Sequence, residues 1–210
     1  FRLTPTVDTF LSSPRFGTNS GDGVTSCCGN PVGDGLLISA HSTMEVDTNQ
    51  GGNGPVEPLI FFDLDRFDVG FGGKVLDAFA SDASATATLQ FAFVNGAGPL
   101  TVRRVIADWL SDSREGGAHI QRQTFPNAPS DPMVSAFVPG VNVEANSNTI
   151  PNPAVIADQL GVVSFDVTHD VRTWSLGVEN FGWALSPGDS NGGMIIASEN
   201  ENLPVSFLNA

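Results

Sequence analysis

Glycine and proline recur along this chain at short intervals, 23 and 14 of them in 210 residues, and interrupt most of the stretches in which a long helix could form. Glycine costs backbone entropy inside a helix, and proline removes a hydrogen bond and clashes with the preceding turn. No window carries an extended amphipathic helical repeat. What lies between the interruptions is short and alternating. Phe181, Trp183 and Leu185 stand at every second position, as do Leu203, Val205 and Phe207. This is the period of strands with one buried face. The pattern predicts an all-β fold in which bulky side chains pack between two antiparallel layers, a β-sandwich with little helix.

Strands are expected at 7–11, 36–46, 59–64, 87–94, 100–106, 134–138, 162–167, 181–185, 194–198 and 203–208. Thr88 to Val94 alternates cleanly, and Asn95-Gly96 suits a tight hairpin turn with a return strand from Leu100. Pro58-Leu59-Ile60-Phe61-Phe62 is apolar without alternation, as in a strand covered on both faces. One helical turn or two is expected within 166–174, where Thr168 could cap and Val171 and Trp174 would share a face. Two long loops, 47–58 and 144–158, are rich in Asn, Gly and Pro.

No break in composition divides the chain, so residues 1–210 are read as one domain. Forty per cent hydrophobic residues, including 15 Phe, supply a core, and only 15% are charged, so packing rather than surface ion pairs must carry the fold. The formal net charge of -14 repels phosphate backbones and anionic headgroups, which excludes nucleic acid and membrane insertion as expected modes of action. It suits cation binding and extracellular solubility. The start at Phe1, without a leader, is read as a precursor cleaved after secretion. Cys27 and Cys28 are adjacent, so they cannot staple distant strands to one another.

Several residue groups invite a chemical reading. Asp47, Asn49 and Asn53, followed by Glu57, place oxygen donors in a flexible glycine loop, the layout a calcium ion requires, although Gly51 replaces one donor of a full EF-hand pattern. Gly188-Asp189-Ser190-Asn191-Gly192 matches the G-x-S-x-G pattern, yet Pro187 precedes it and a short apolar strand follows, the wrong setting for a nucleophile elbow. Asp63 and Asp65 fall on one face if both lie in a strand, as paired carboxylates would. His41, His119 and His169 lack metal-ligand spacing. Trp109, Trp174 and Trp183 could form a sugar platform, but the alternation assigns Trp174 and Trp183 to the core. No catalytic residue is assigned, and an enzyme is not expected.

A series of pieces runs in order through nearly the whole chain: Thr6-Val7-Asp8-Thr9-Phe10, Leu59-Ile60-Phe61-Phe62-Asp63-Leu64, Ala87-Thr88-Leu89, Val102-Arg103-Arg104-Val105 with Asp108-Trp109, Thr124-Phe125-Pro126-Asn127-Ala128-Pro129, Phe165-Asp166-Val167-Thr168, Val171 with Trp174, Asn180-Phe181-Gly182-Trp183, and Ser198-Glu199. In this the chain resembles the DNRLRE-type domain, a family of secreted bacterial jelly-roll modules related to carbohydrate-binding modules. It departs from that pattern at Phe125, where the family often has Trp, and at Ser198-Glu199, where the family shows Ser-Arg-Glu. The resemblance implies a two-sheet jelly-roll and a place at the cell surface or outside the cell. It also implies that Asp8 and Glu199 approach one another as a second candidate calcium site, if the first and last strands are neighbours.

The expected function is that of a non-catalytic extracellular building block of a surface or matrix. Phe1, Leu3, Val7 and Phe10 give the first segment the character of a strand that could be donated to a second copy, forming filaments, or that could serve as the first strand of its own fold. The alternative is a carbohydrate-binding module for an extracellular polysaccharide, with no glycan-binding residue named.

Overall fold

A computed structural model describes residues 7–11, 43–46, 55, 57–65, 73–96, 100–110, 125–131, 134–150, 161–187 and 194–197. In chain order these form β1 (Val7–Leu11), β2 (Thr43–Val46), β3 (Glu57–Phe61), α1 (Val75–Ser81), β4 (Thr88–Gly96), β5 (Leu100–Arg104), β6 (Asn148–Ile150), β7 (Gly161–Asp166), α2 (Thr168–Ser175), β8 (Trp183–Pro187) and β9 (Met194–Ala197). The strands make two sheets, one of five in the order β1-β3-β8-β5-β6 and one of four in the order β2-β9-β4-β7. All the strand pairings within these sheets are antiparallel.

Successive strands change sheet at almost every step, and this overturns the expected hairpin at Asn95-Gly96. Those two residues continue β4, pairing with Ile195 and Met194 of β9 after a register shift at Phe93. The strand that follows, β5, belongs to the other sheet and pairs with β6 and β8. A dipeptide that favours a turn is here absorbed into an irregular strand by its pairing with β9.

The central strands β3 and β8 of the five-stranded sheet are buried on both faces, as the unbroken apolar run at 58–62 suggests. Ile60 joins Leu100, Val102, Trp183 and Leu185 of its own sheet with Leu89, Phe91, Val163 and Phe165 of the other, in one cluster fed by both sheets. Its neighbour Leu59, fully buried at 0% exposure, points the opposite way, toward Trp109, Phe125, Phe137 and Val143. That second cluster covers the outer face with residues from 105–110, 125–131 and 134–147. Each fully buried side chain of this size contributes roughly 1.5–3 kcal/mol.

The change of face at β8 is made by one residue. Gly182 has φ 75°, and a Cβ there would stand 2.1 Å from the Ile60 carbonyl oxygen. Phe181 therefore packs on the outer cluster while Trp183 and Leu185 enter the inner one, so the three do not share a face as simple alternation predicts. Other expectations also move. Residues 134–138 form no strand; Pro139 and Val143 make isolated bridges instead. The segment 144–158, read as a loop, contributes β6. Asp63 and Asp65 follow the end of β3 rather than lying within it, and Asp65 pairs with Lys74 at 3.9 Å.

The helical turn expected near Trp174 is α2, with Val171 and Trp174 buried. Thr168 does not cap it; its hydroxyl accepts the Ala87 N–H at 2.9 Å, fastening the start of α2 beside β4. The seven-residue α1, which no long periodicity announces, buries Val75 and Phe79 four apart. Arg172 joins the two helices, with its guanidinium 5.9 Å from the Phe79 ring centroid and donating to the carbonyls of Ala83 and Ala85.

Candidate functional site

The densest polar chemistry inside this apolar frame lies where α2 meets the five-stranded sheet. Asp166 prepares the helix: its Oδ1 accepts the Thr168 N–H at 2.9 Å, and the Thr168 side chain and backbone hold its carboxyl below the ordinary range. One turn into α2, Asp170 reaches Trp183 of β8, whose indole Nε1–H donates to Oδ2 at 2.7 Å. Trp183 in turn meets the Trp174 ring edge to face, with centroids 4.7 Å apart, and Phe62 at 5.9 Å. Asp170 and Trp174, four apart in α2, lie on one side of the helix.

Opposite Trp183 in the register stands Arg104 of β5. It is 8% exposed, and its Nη2 donates to Glu144 Oε1 in an ion pair reinforced by the Glu144 N–H bonding the Arg104 carbonyl at 2.9 Å. Burial pushes the Asp170 carboxyl above the ordinary aspartate range; the indole hydrogen bond and the charges of Arg104 and His169 pull it down, and Glu144 pushes it up. Buried Arg104 Nε and Trp174 Nε1 have no hydrogen-bond acceptor among the described residues. Chemically, the group sets a half-buried carboxyl that accepts an indole N–H beside a buried Arg104–Glu144 ion pair.

A second polar group locks the outer cover. Glu57, 1% exposed, accepts from the Ser135 hydroxyl and from the Ala136 N–H at 2.8 Å. Asn142, fully enclosed, donates to the carbonyls of Pro126 and Ala136 and accepts from the Val138 N–H at 2.7 Å. The Trp109 indole N–H donates to the Phe181 carbonyl at 2.6 Å.

Of the residues singled out for calcium, Glu57 is this buried strand residue, engaged with the cover. Asp8 lies in β1 opposite Ile60. Asp47, Asn49, Asn53 and Glu199 lie outside the described residues, as do Phe1, Leu3, Cys27, Cys28, His41, His119, Ser190 and the segment 203–208. No group of three or more His, Cys, Asp or Glu comes together among the described residues. Val7 and Phe10 sit in β1, in register with Phe61 and Pro58 of the same chain. All three tryptophans are buried, Trp109 at 1%, Trp174 at 2% and Trp183 at 3%.

Sequence reasoning passed over Asp170, Arg104 and Glu144. One signal was present: Asp170 precedes Trp174 by a helical turn inside the segment already read as helical. Against known proteins, no family model matches the chain, and no curated protein matches it at a significant level.

Proposed function

We propose that this chain is a non-catalytic β-sandwich of jelly-roll type that works outside the cell as a building block of a surface or matrix. The observation that carries this reading is the double burial of the central strands of the five-stranded sheet. With the inner face of its central strands packed on the second sheet and their outer face under Trp109, Phe125, Phe137 and Val143, both faces of those strands are spent on packing. Alternation of successive strands between the sheets supports the jelly-roll arrangement. Among the described residues β1 is the end strand of its sheet, hydrogen-bonded to β3, and an end strand offers unpaired backbone groups to a further strand. In this reading residues before Val7 in one copy pair with an open edge in the next.

Deleting residues 1–5 and measuring the mass distribution by light scattering tests the strand-donor form. Loss of assemblies is the expected result, and unchanged assemblies reject it. Calcium would be seen as a rise in melting temperature on adding the ion, because a ligand held only by the folded state stabilises it; no response to chelator dismisses the ion.

Polysaccharide recognition is the competing reading, supported by the ordered pieces that resemble the DNRLRE-type domain. With the tryptophans enclosed, it would have to use loops. Retention of the intact protein by an insoluble or arrayed polysaccharide would favour it over assembly.

A further inference from the structure

We infer that β7 pairs edge to edge with β7 of a second copy of this chain, antiparallel about a two-fold axis through Ser164, joining their four-stranded sheets into one. Among the described residues four strands end a sheet, β1 and β6 in one and β2 and β7 in the other. β2 has four residues and carries Glu45, β6 has three and runs into Pro151, and β1 carries Asp8. Shortness, charge and proline are devices that keep a sheet edge from pairing. β7 is the longest of the four at six residues, and before Asp166 it has neither a charge nor a proline. Its register with β4 runs without a bulge from Gly161 to Asp166, so no kink turns the edge away.

The ladder with β4 fixes which backbone groups face outward. The Val167 N–H bonds the Ala87 carbonyl at 3.0 Å, so these two form a hydrogen-bonded pair. By the alternation of an antiparallel ladder, Phe165 with Leu89 and Val163 with Phe91 form the next two. Val162 and Ser164 therefore turn their N–H and C=O groups away from β4. The Ser164 side chain is exposed, while its neighbours Val163 and Phe165 are buried on the inner face. α2 leaves β7 on the β4 side, where the Thr168 hydroxyl accepts the Ala87 N–H.

A two-fold axis through Ser164 suits this edge. The two Ser164 residues stand opposite one another and exchange both N–H to C=O bonds. On the inner face Val163 of each copy meets Phe165 of the other, a β-branched side chain against an aromatic one, which is a favourable cross-strand pair. Asp166 falls opposite Val162 of the second copy, so the strand's one acid does not meet its like. One patch thus serves both partners, as a two-fold interface requires. The net charge of -14 on each copy opposes their approach, so the dimer tightens as salt screens the repulsion. The joint uses β7 alone and stands apart from strand donation by residues 1–5.

Sedimentation equilibrium of the intact chain tests this. Dimers favoured by salt are expected, and a monomer throughout, up to about 1 mM protein, overturns the pairing. Ser164→Pro removes an N–H that faces away from β4 and should leave a folded monomer. Ser164→Lys and Ser164→Glu decide the matter even where the proline variant folds poorly. Each sets like charges face to face across the axis and should dimerise about fivefold more weakly than wild type. An equimolar mixture of the two should recover the dimer as Lys–Glu heterodimers. No recovery in the mixture, or a dimer that neither charge variant weakens, overturns the pairing. Deleting residues 1–5 should leave this dimer in place; its loss would make that segment the occupant of the edge and overturns the pairing as well.

Discussion

The two faces of the five-stranded sheet are packed by different means. Toward the second sheet, Ile60, Leu100, Val102, Trp183 and Leu185 meet Leu89, Phe91, Val163 and Phe165, and shape fitting between regular strands suffices. Away from it, the described part of the cover, 105–110, 125–131 and 134–147, is chain with isolated bridges but no regular strand pairing, whose backbone groups find no ladder. The outer layer therefore combines Trp109, Phe125 and Phe137 with buried acceptors and donors, Glu57, Asn142 and the Trp109 indole, that satisfy the cover's N–H and C=O groups. Burying irregular backbone is possible only with such partners, since an unpaired buried polar group costs about 1–3 kcal/mol. Regular structure can be buried by apolar contact alone; irregular structure needs polar staples as well.

The sharpest way to break both layers at once is Gly182→Ala. Its methyl would be driven into the Ile60 carbonyl in a backbone conformation that side chains disfavour. Either β3 and β8 separate, or Trp183 and Phe181 lose their opposite assignments. The expected loss is about 4 kcal/mol or more, the range reserved for strain combined with core disruption, read as a large fall in the urea midpoint. A loss under about 1 kcal/mol, the size of an ordinary substitution, would show that the two layers are not coupled through this residue.

Glu57→Ala should separate the layers instead. It leaves the Ala136 N–H and the Ser135 hydroxyl without their carboxylate, for a loss of about 3 kcal/mol, as charge-assisted bonds to buried groups require. Because the damage falls on the cover, limited proteolysis should cut first within 125–147 while near-ultraviolet signals from the inner cluster persist. Simultaneous loss of both would mean that the cover and the inner core melt as one unit.

How far the sequence revealed these layers depended on what kind of contact built them. Alternation located β4 and β7 closely, because a half-buried strand repeats every second residue, and β1, β5 and β9 also lie near their expected places. The unbroken run at 58–62 foretold the double burial of β3. In contrast, the reversal at Gly182 is a tertiary matter: only the closeness of Ile60 shows why that position must lack a side chain. Strand exchange between sheets was likewise hidden, since Asn95-Gly96 carries a local turn preference that non-local pairing overrides. The polar seam escaped notice because Arg104, Glu144 and Asp170 are far apart in sequence, and a lone carboxylate on a short helix reads as a solvated surface group until packing brings it against Trp183. Glu57, grouped with an acidic loop by spacing, proved to belong to the strand that follows.

The finest distinction lies inside the inner layer, between two tryptophans that touch. Trp183→Phe and Trp174→Phe remove the same ring volume from adjacent positions, both nearly enclosed. The Trp183 indole N–H is bound to Asp170, whereas that of Trp174 meets no acceptor among the described residues. Deleting a satisfied donor loses its bond and strands the carboxylate, while deleting an unsatisfied one relieves a desolvation cost. Urea denaturation of the two variants should therefore place Trp183→Phe below Trp174→Phe by about 1 kcal/mol. Part of that gap should vanish at low pH, where a protonated Asp170 is less costly to leave alone. Equal losses at neutral pH would mean that packing volume, not the indole–carboxylate bond, fixes α2 to the sheet, and the inner layer would then be as purely apolar at its rim as it is at its centre.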